Sequence, residues 1–253
     1  MIEEDFCLGN SLIHRLDPRV KILVACAFSI VVAISNRPPA LISAVLISLL
    51  LVSFARLSFK SIVSRLLVVN TLIFLFWIFI PFTVDGERLF GLGPLIATRE
   101  GIILSALITI KSNSIILVLI GLVSTMPIFT IGRSMRYLYV PTKIVYLVLF
   151  TYRYIHAINR EFRRLTDAIS IRGFQPGTSM HTYRTYAYLI GMLLVKSHDR
   201  AERVRSAMLC RGFRGKFYDL SEFSLKPSDL IISLIMLSAI AGIGLLQWTR
   251  IIY

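Results

Sequence analysis

Residues 101–132 read GIILSALITIKSNSIILVLIGLVSTMPIFTIG, with one charged position, Lys111. A helix needs about 20 predominantly apolar residues to cross the ~30 Å hydrocarbon core of a bilayer. This stretch is long enough. Working outward, runs free of Asp, Glu, Lys and Arg occupy residues 22–36, 38–55, 66–84 and 230–249. The expected fold is therefore an all-α polytopic membrane protein. Five transmembrane helices are expected, at about 18–35, 39–56, 64–82, 101–125 and 229–249. The uncharged runs 144–152 and 185–195 are too short to span and read as faces of amphipathic helices.

Composition agrees. Of 253 residues, 56% are hydrophobic and 17% charged, with mean hydropathy +0.74. Soluble domains average about 45–50% apolar and about 25% charged. Disorder is excluded by the apolar content. The 28 Lys+Arg against 14 Asp+Glu leave a net charge of +14. A hydrophobic chain this basic suggests a large basic cytoplasmic face. Cys7, Cys26 and Cys210 lie far apart, with no CxxC, so neither a disulfide framework nor a zinc site is indicated. The start, MIEEDF, is acidic where a secretory signal is basic, so no cleaved signal is expected.

The basic residues orient the spans. Residues 126–226 hold 17 Lys+Arg and six acids, net +11, and should be cytoplasmic. Counting back, loop 83–100 lies outside and the turn at 56–65, with Arg56, Lys60 and Arg65, lies inside. The Asn36-Arg37-Pro38-Pro39 turn lies outside, and the N-terminus, with Arg15, Arg19 and Lys21, inside. The last span leaves the C-terminus outside. Three parts follow: a four-span region 1–125, a cytoplasmic block 126–226, and a final span within 227–253. Asp17-Pro18 reads as a helix start, a capping carboxylate before a first-turn proline. Lys111 falls near the middle of the fourth span. It reads either as a contact for a partner or lipid headgroup, or as an interior lysine on a backbone carbonyl.

The cytoplasmic block carries the most information. Pro127 and Pro141 bracket a short segment, 128–140. From Thr142 to about Arg172 the chain can be one helix, with Ile155, Ile158, Phe162, Leu165 and Ile169 spaced by three and four. A second long helix is expected from about Met180 to Arg211, with Tyr186, Ile190, Leu193, Val204 and Met208 as its apolar stripe. The two helix ends repeat. Residues 164–174 read RLTDAISIRGF and residues 203–213 read RVRSAMLCRGF. Both contain Ala-x-x-x-Arg-Gly-Phe. Ala and Arg four apart share a helix face. The small Ala admits a close neighbour, and Gly supplies the left-handed stop. Each end thus presents a guanidinium, suited to bidentate capture of a carboxylate. Two like tips suggest two like receptors.

These residues resemble the transmembrane (T) component of energy-coupling-factor (ECF) transporters, ABC importers with a separate substrate-capturing membrane subunit. That family carries two Ala-Arg-Gly motifs, matched here by Ala168, Arg172, Gly173 and by Ala207, Arg211, Gly212. Leu16-Asp17-Pro18-Arg19-Val20-Lys21 resembles the family's opening. Tyr152-Arg153-Tyr154, Ala201-Glu202-Arg203-Val204 and the ending Arg211–Phe217 resemble its cobalt/nickel (CbiQ-like) branch. The resemblance implies that the two long helices cross and that their tips lie in grooves of two ABC ATPase subunits. It implies that ATP-driven motion passes through them to a small capturing subunit, for uptake of cobalt or nickel, with a vitamin-type T component as the alternative. Nothing catalytic is assigned to this chain. No GxxxxGK[ST] is present, so ATP is expected on the partners, and His14, His156, His181 and His198 lack ligand spacing, so no cofactor or metal is expected here. Membrane lipids, rather than nucleic acid, suit the basic excess. A stand-alone secondary transporter and an intramembrane enzyme are the competing classes. The first would need repeats among the spans, the second paired carboxylates or metal ligands at the membrane face.

Overall fold

The computed structural model describes residues 11–92, 95–215 and 227–248. Expectations for MIEEDF, Cys7, Lys216, Phe217 and the C-terminal residues lie outside these. The helices in chain order are α1 (Leu12–Arg15), α2 (Pro18–Ile34), α3 (Pro38–Ala55), α4 (Phe59–Thr83), α5 (Arg99–Leu122), α6 (Ile128–Tyr137), α7 (Thr142–Ile171), α8 (Met180–Cys210) and α9 (Pro227–Trp248). They fall into two compact units. One comprises the chain up to Val140 together with α9. The other holds α7 and α8.

In the first unit α3, α4, α5 and residues 229–247 of α9 are long and apolar enough to cross a membrane. The remaining expected span, α2, has 17 residues and falls just short of that length. Its ends explain this. The Asp17 side chain accepts the Arg19 backbone N–H at 2.8 Å, starting the helix at Pro18. The Arg37-Pro38 step stops continuation after Ser35, because the residue before a proline avoids the helical region. α2 contacts α5, α6 and α9 and buries Val24, Phe28 and Val32.

Close packing comes from small residues. Ala40, Ala44, Ser48, Leu51 and Ala55 form the buried stripe of α3, which meets α5 and α9. Small side chains let helices approach where lipid supplies no hydrophobic drive for association. α4 meets α5 closely at Gly101, where an added Cβ would lie 2.7 Å from the Pro81 Cα. Backbone faces backbone there, so a side chain at Gly101 would force the helices apart.

Three details differ from the sequence-based expectation. The 56–65 turn is only residues 56–58, because α4 begins at Phe59 and carries Lys60 and Arg65 itself. Loop 83–100 is not irregular throughout. It contains an antiparallel hairpin, β1 (Arg88–Leu92) with β2 (Leu95–Thr98), pairing Leu92 with Leu95 and bulged between Arg88 and Phe90. And α6, expected with the cytoplasmic block, packs on α2 in the first unit. The Arg19 guanidinium sits 3.6 Å above the centre of the Tyr137 ring of α6, a cation–π contact invisible as a sequence pattern.

Lys111 reaches the end of α2. Its Nζ donates to the Ala33 carbonyl at 2.9 Å and to Asn36 Oδ1 at 2.7 Å. Gln247 of α9 closes the same turn, its Oε1 accepting the backbone N–H groups of Asn36 and Arg37 at 3.2 Å each. Helix ends leave backbone groups without intrahelical partners. Here two other helices supply them. At ~1.5 Å rise per residue, α2 is about 26 Å long and α5 about 36 Å. Lys111 is the thirteenth of the 24 residues of α5, so the α2–α3 turn meets α5 near its middle. Lower down, Arg65 Nη1 donates to Ser124 Oγ at 3.1 Å, and Asn113 Nδ2 donates to Asn70 Oδ1 at 3.0 Å between α5 and α4.

Candidate functional site

The second unit is built on α7 and α8. Ser179 caps α8, its Oγ accepting the Thr182 N–H. The chain reverses after α7, and Phe174 packs against His181 and Tyr186 of α8.

The two helix tips are the same structure built twice. α7 ends at Ile171 and its C-cap, Arg172, has φ −79° and ψ 11°. α8 ends at Cys210 and its C-cap, Arg211, has φ −87° and ψ 11°. Each is followed by a left-handed glycine, Gly173 at φ +81° and Gly212 at φ +76°. At the first tip Gly173 N–H donates to Ser170 O at 3.0 Å and Phe174 N–H to Ile169 O at 3.2 Å. At the second, Gly212 N–H donates to Leu209 O at 2.9 Å and Phe213 N–H to Met208 O at 3.0 Å. This pair of crossed bonds is the Schellman helix stop, which the left-handed residue makes possible. Open space surrounds both glycines, so their dihedral angle, not crowding, demands glycine.

The stop fixes where each arginine stands. Arg172 and Arg211 are exposed, as are Ala168 and Ala207 one turn before. Among the described residues neither guanidinium has a carboxylate partner within ion-pair distance. Each tip therefore offers an uncompensated planar cation beside a small side chain, on a helix end whose own carbonyls carry partial negative charge. An arginine there is compatible with its helix and free to take an anion from elsewhere.

One contact joining the two helices has no counterpart in the sequence reading. Glu161 of α7 accepts a hydrogen bond from Lys196 of α8, and Arg164 Nη1 and Arg200 Nη2 lie 3.9 and 4.0 Å from its carboxylate. Its side chain is only 14% exposed. The Lys196 hydrogen bond, against an opposing desolvation and aided by the three positive charges, holds the Glu161 carboxyl below its ordinary value. A depressed folded-state pKa contributes stability above the unfolded pKa, lost as pH falls through the folded one. The contact should thus be intact at neutral pH and fail below the usual glutamate range of about 4.3. Spin labels on α7 and α8 should report one narrow distance at pH 7, broadened by Glu161→Gln and restored by exchanging the pair as Glu161→Lys with Lys196→Glu. An unchanged distance in the single variant would show that Glu161 does not fasten the helices. The isolated acid among Arg160, Arg163 and Arg164 was visible in the sequence. Its partner 35 positions away was not.

The apolar stripes are only partly used within the unit. Ile155, Ile158 and Phe162 stay 37–40% exposed, while Ala157 and Leu189 are buried. Ile190, expected on the packed face of α8, is 55% exposed, and Leu189 takes its place. The four histidines are dispersed. His14 hydrogen-bonds Ser11 Oγ at 2.7 Å, His181 lies against Phe174, His156 against Tyr152, and His198 Nε2 is 3.9 Å from Glu202. Among the described residues no three metal-ligating side chains gather.

A polytopic helical membrane unit joined to two long helices with matched arginine tips defines a class of membrane transport component. A model of the CbiQ family, described as "Cobalt transport protein", matches residues 9–220, and the chain belongs to that family. It is also similar to several curated proteins named "Energy-coupling factor transporter transmembrane protein EcfT". That of Acidaminococcus fermentans is 28% identical, covering 95% of this chain and 94% of the relative. That of Bacillus subtilis is 26% identical, covering 95% and 96%. That of Listeria innocua is 28% identical, covering 99% and 98%.

Proposed function

We propose that this chain is the transmembrane T component of an ECF-type ABC importer, and that it carries ATP-driven motion from two ATPase subunits to a small substrate-capturing membrane subunit. The observation that carries the proposal is the pair of matched tips, each with an exposed arginine that has no carboxylate partner among the described residues and is held by a Schellman stop. The names of the full-length relatives support it.

The geometry supports the following mechanism. Arg172 and Arg211 each dock with a carboxylate or carbonyl of one ATPase. Closure of the ATPase pair on ATP moves both tips. α7 has 30 residues and α8 has 31, so each is a lever about 45 Å long at ~1.5 Å per residue. The Glu161–Lys196 contact makes the two levers move together. ATP binds the partner subunits, and this chain transmits work without catalysing a reaction or holding a cofactor. The basic excess of the α7–α8 region supports a cytoplasmic position for it and for the N-terminus at a prokaryotic inner membrane, with the C-terminus outside. The family description supports cobalt or nickel as cargo. The names of the EcfT relatives carry no cargo, which keeps a vitamin as the second reading.

Purification of the tagged chain from its native membrane in mild detergent tests this. Two ATPase equivalents and one small hydrophobic subunit should accompany it, and the identity of that subunit assigns the cargo. Recovery of the folded chain alone, active in ATP-free liposome uptake, would replace the proposal with a stand-alone transporter.

A further inference from the structure

Asp17-Pro18-Arg19-Val20-Lys21 opens α2, and the docking of the helix tips makes no use of its two cations. Both are engaged inside the first unit. The Arg19 guanidinium lies 3.6 Å over the ring of Tyr137, the last residue of α6. Lys21 is 2% exposed, and its Nζ donates to Thr125 Oγ1 and to the His14 carbonyl, at 3.4 Å each. Thr125 is buried as well. Its Oγ1 donates in turn to the carbonyl of Leu122, the last residue of α5, at 2.8 Å. At about 3.6 residues per turn, positions two apart point to nearly opposite sides of a helix. The first turn of α2 therefore reaches two places, the end of α5 and the end of α6. The Asp17 cap fixes the turn that carries both cations.

Between these two holds α6 lies on α2, and its buried residues are Gly132 and Ser134. Small side chains admit a close approach. The far end of α6 is equally defined. Val140 N–H donates to Met135 O at 3.3 Å, and Tyr139, fully exposed, stands at φ +61°. This is a left-handed helix stop made without glycine. A non-glycine residue keeps that conformation where its surroundings impose it. Four residues, 138–141, then separate α6 from α7. The other covalent link between the two units, 211–226, has 16 residues.

We infer that Arg19 and Lys21 are positioning residues for the transport cycle. They clamp the α5–α6 segment to α2, so that displacement of α7 enters the membrane-spanning unit through α6 and bears on α2. This rests on the proposed coupling role and adds to it the point where motion enters the membrane unit.

The test uses the purified complex with its ATPases, in lipid nanodiscs. Cys7, Cys26 and Cys210 are replaced by serine, and spin labels are placed at Leu23 of α2 and Arg136 of α6, both exposed. The distance between them is read without nucleotide and after trapping with ATP and vanadate, which requires no knowledge of the cargo. In the labelled parent the two distances should coincide, because α6 and α2 move as one body. Arg19→Gln with Tyr137→Leu should leave ATPase co-purification intact. It should add a second distance in the trapped state, displaced by more than the ~1–2 Å of an ordinary helix adjustment. Tyr137→Phe keeps the ring face and should behave as the parent. A trapped distance in the double variant equal to the parent's would overturn the inference, even with a lowered thermal midpoint, since the contact would then be structural only. So would a parent whose α2–α6 distance itself changes on trapping, or a second distance in Tyr137→Phe. Recovery of the parent chain without ATPases is a separate result, which would remove the coupling role itself and the inference with it.

Discussion

Arg172→Ala combined with Arg211→Ala abolishes ATP-coupled uptake while the chain stays in the membrane at its normal level. Both side chains are exposed at helix stops set by backbone hydrogen bonds and left-handed glycines, so their removal leaves each helix end in place. What is lost is a charge-assisted contact at each tip. Truncating an interface arginine of this kind costs about 2 kcal/mol or more, about thirtyfold in affinity, and two tips multiply. Each single variant should therefore reduce co-purification of the ATPases, and the double variant should remove it. Lysine is not an adequate replacement, since an ammonium lacks the planar fork. The comparison variants are Gly173→Ala and Gly212→Ala. They keep the arginine but force a Cβ into φ near +80°, costing roughly 1–2 kcal/mol at that residue. They should lower coupling less than the arginine variants. Normal uptake by the double arginine variant, measured in cells with expression matched by immunoblot, would remove the tips from the mechanism.

Lys111→Met lowers the thermal midpoint of the solubilised chain. The methionine preserves length and apolar volume but leaves the Ala33 carbonyl and Asn36 Oδ1 without their donor. An unpaired polar group away from water costs about 1–3 kcal/mol, and measured interhelical hydrogen bonds in membranes reach about 1.7 kcal/mol. Taking about 1–2 kcal/mol, the midpoint falls by about 3–6 °C. Asn36→Ala removes one acceptor and leaves the Ala33 contact, so its effect should be smaller. Lys111→Arg keeps the donors and should largely recover the midpoint. Thermal aggregation followed by size-exclusion chromatography reads all three. An unshifted midpoint for Lys111→Met would mean that the turn is held by Gln247 alone.

Much of the molecule is written in local patterns. Long uncharged runs lead to the membrane helices because the bilayer imposes a length. Asp17-Pro18 set the start of α2, and Arg-Gly-Phe set the ends of α7 and α8, because caps are made by residues within a turn of one another. The repeated Ala-x-x-x-Arg-Gly-Phe was enough to expect two equivalent tips, and the backbone angles agree residue by residue. The hairpin at 88–98 was missed because a short apolar segment beside long helices carries little period-two signal.

The tertiary structure alone decided the contacts between residues remote in sequence. Arg19 on Tyr137, Lys111 on Ala33 and Asn36, Gln247 on the α2–α3 turn, and Glu161 on Lys196 pair groups 35 to 211 positions apart. Nothing local in the chain distinguishes a lysine that will cap another helix from one that will meet lipid, since both are a charge in an apolar run. The same holds for a groove that lies between α7 and α8. Its walls are ordinary apolar positions of two amphipathic helices. They become a cavity only where folding brings α7 and α8 alongside each other.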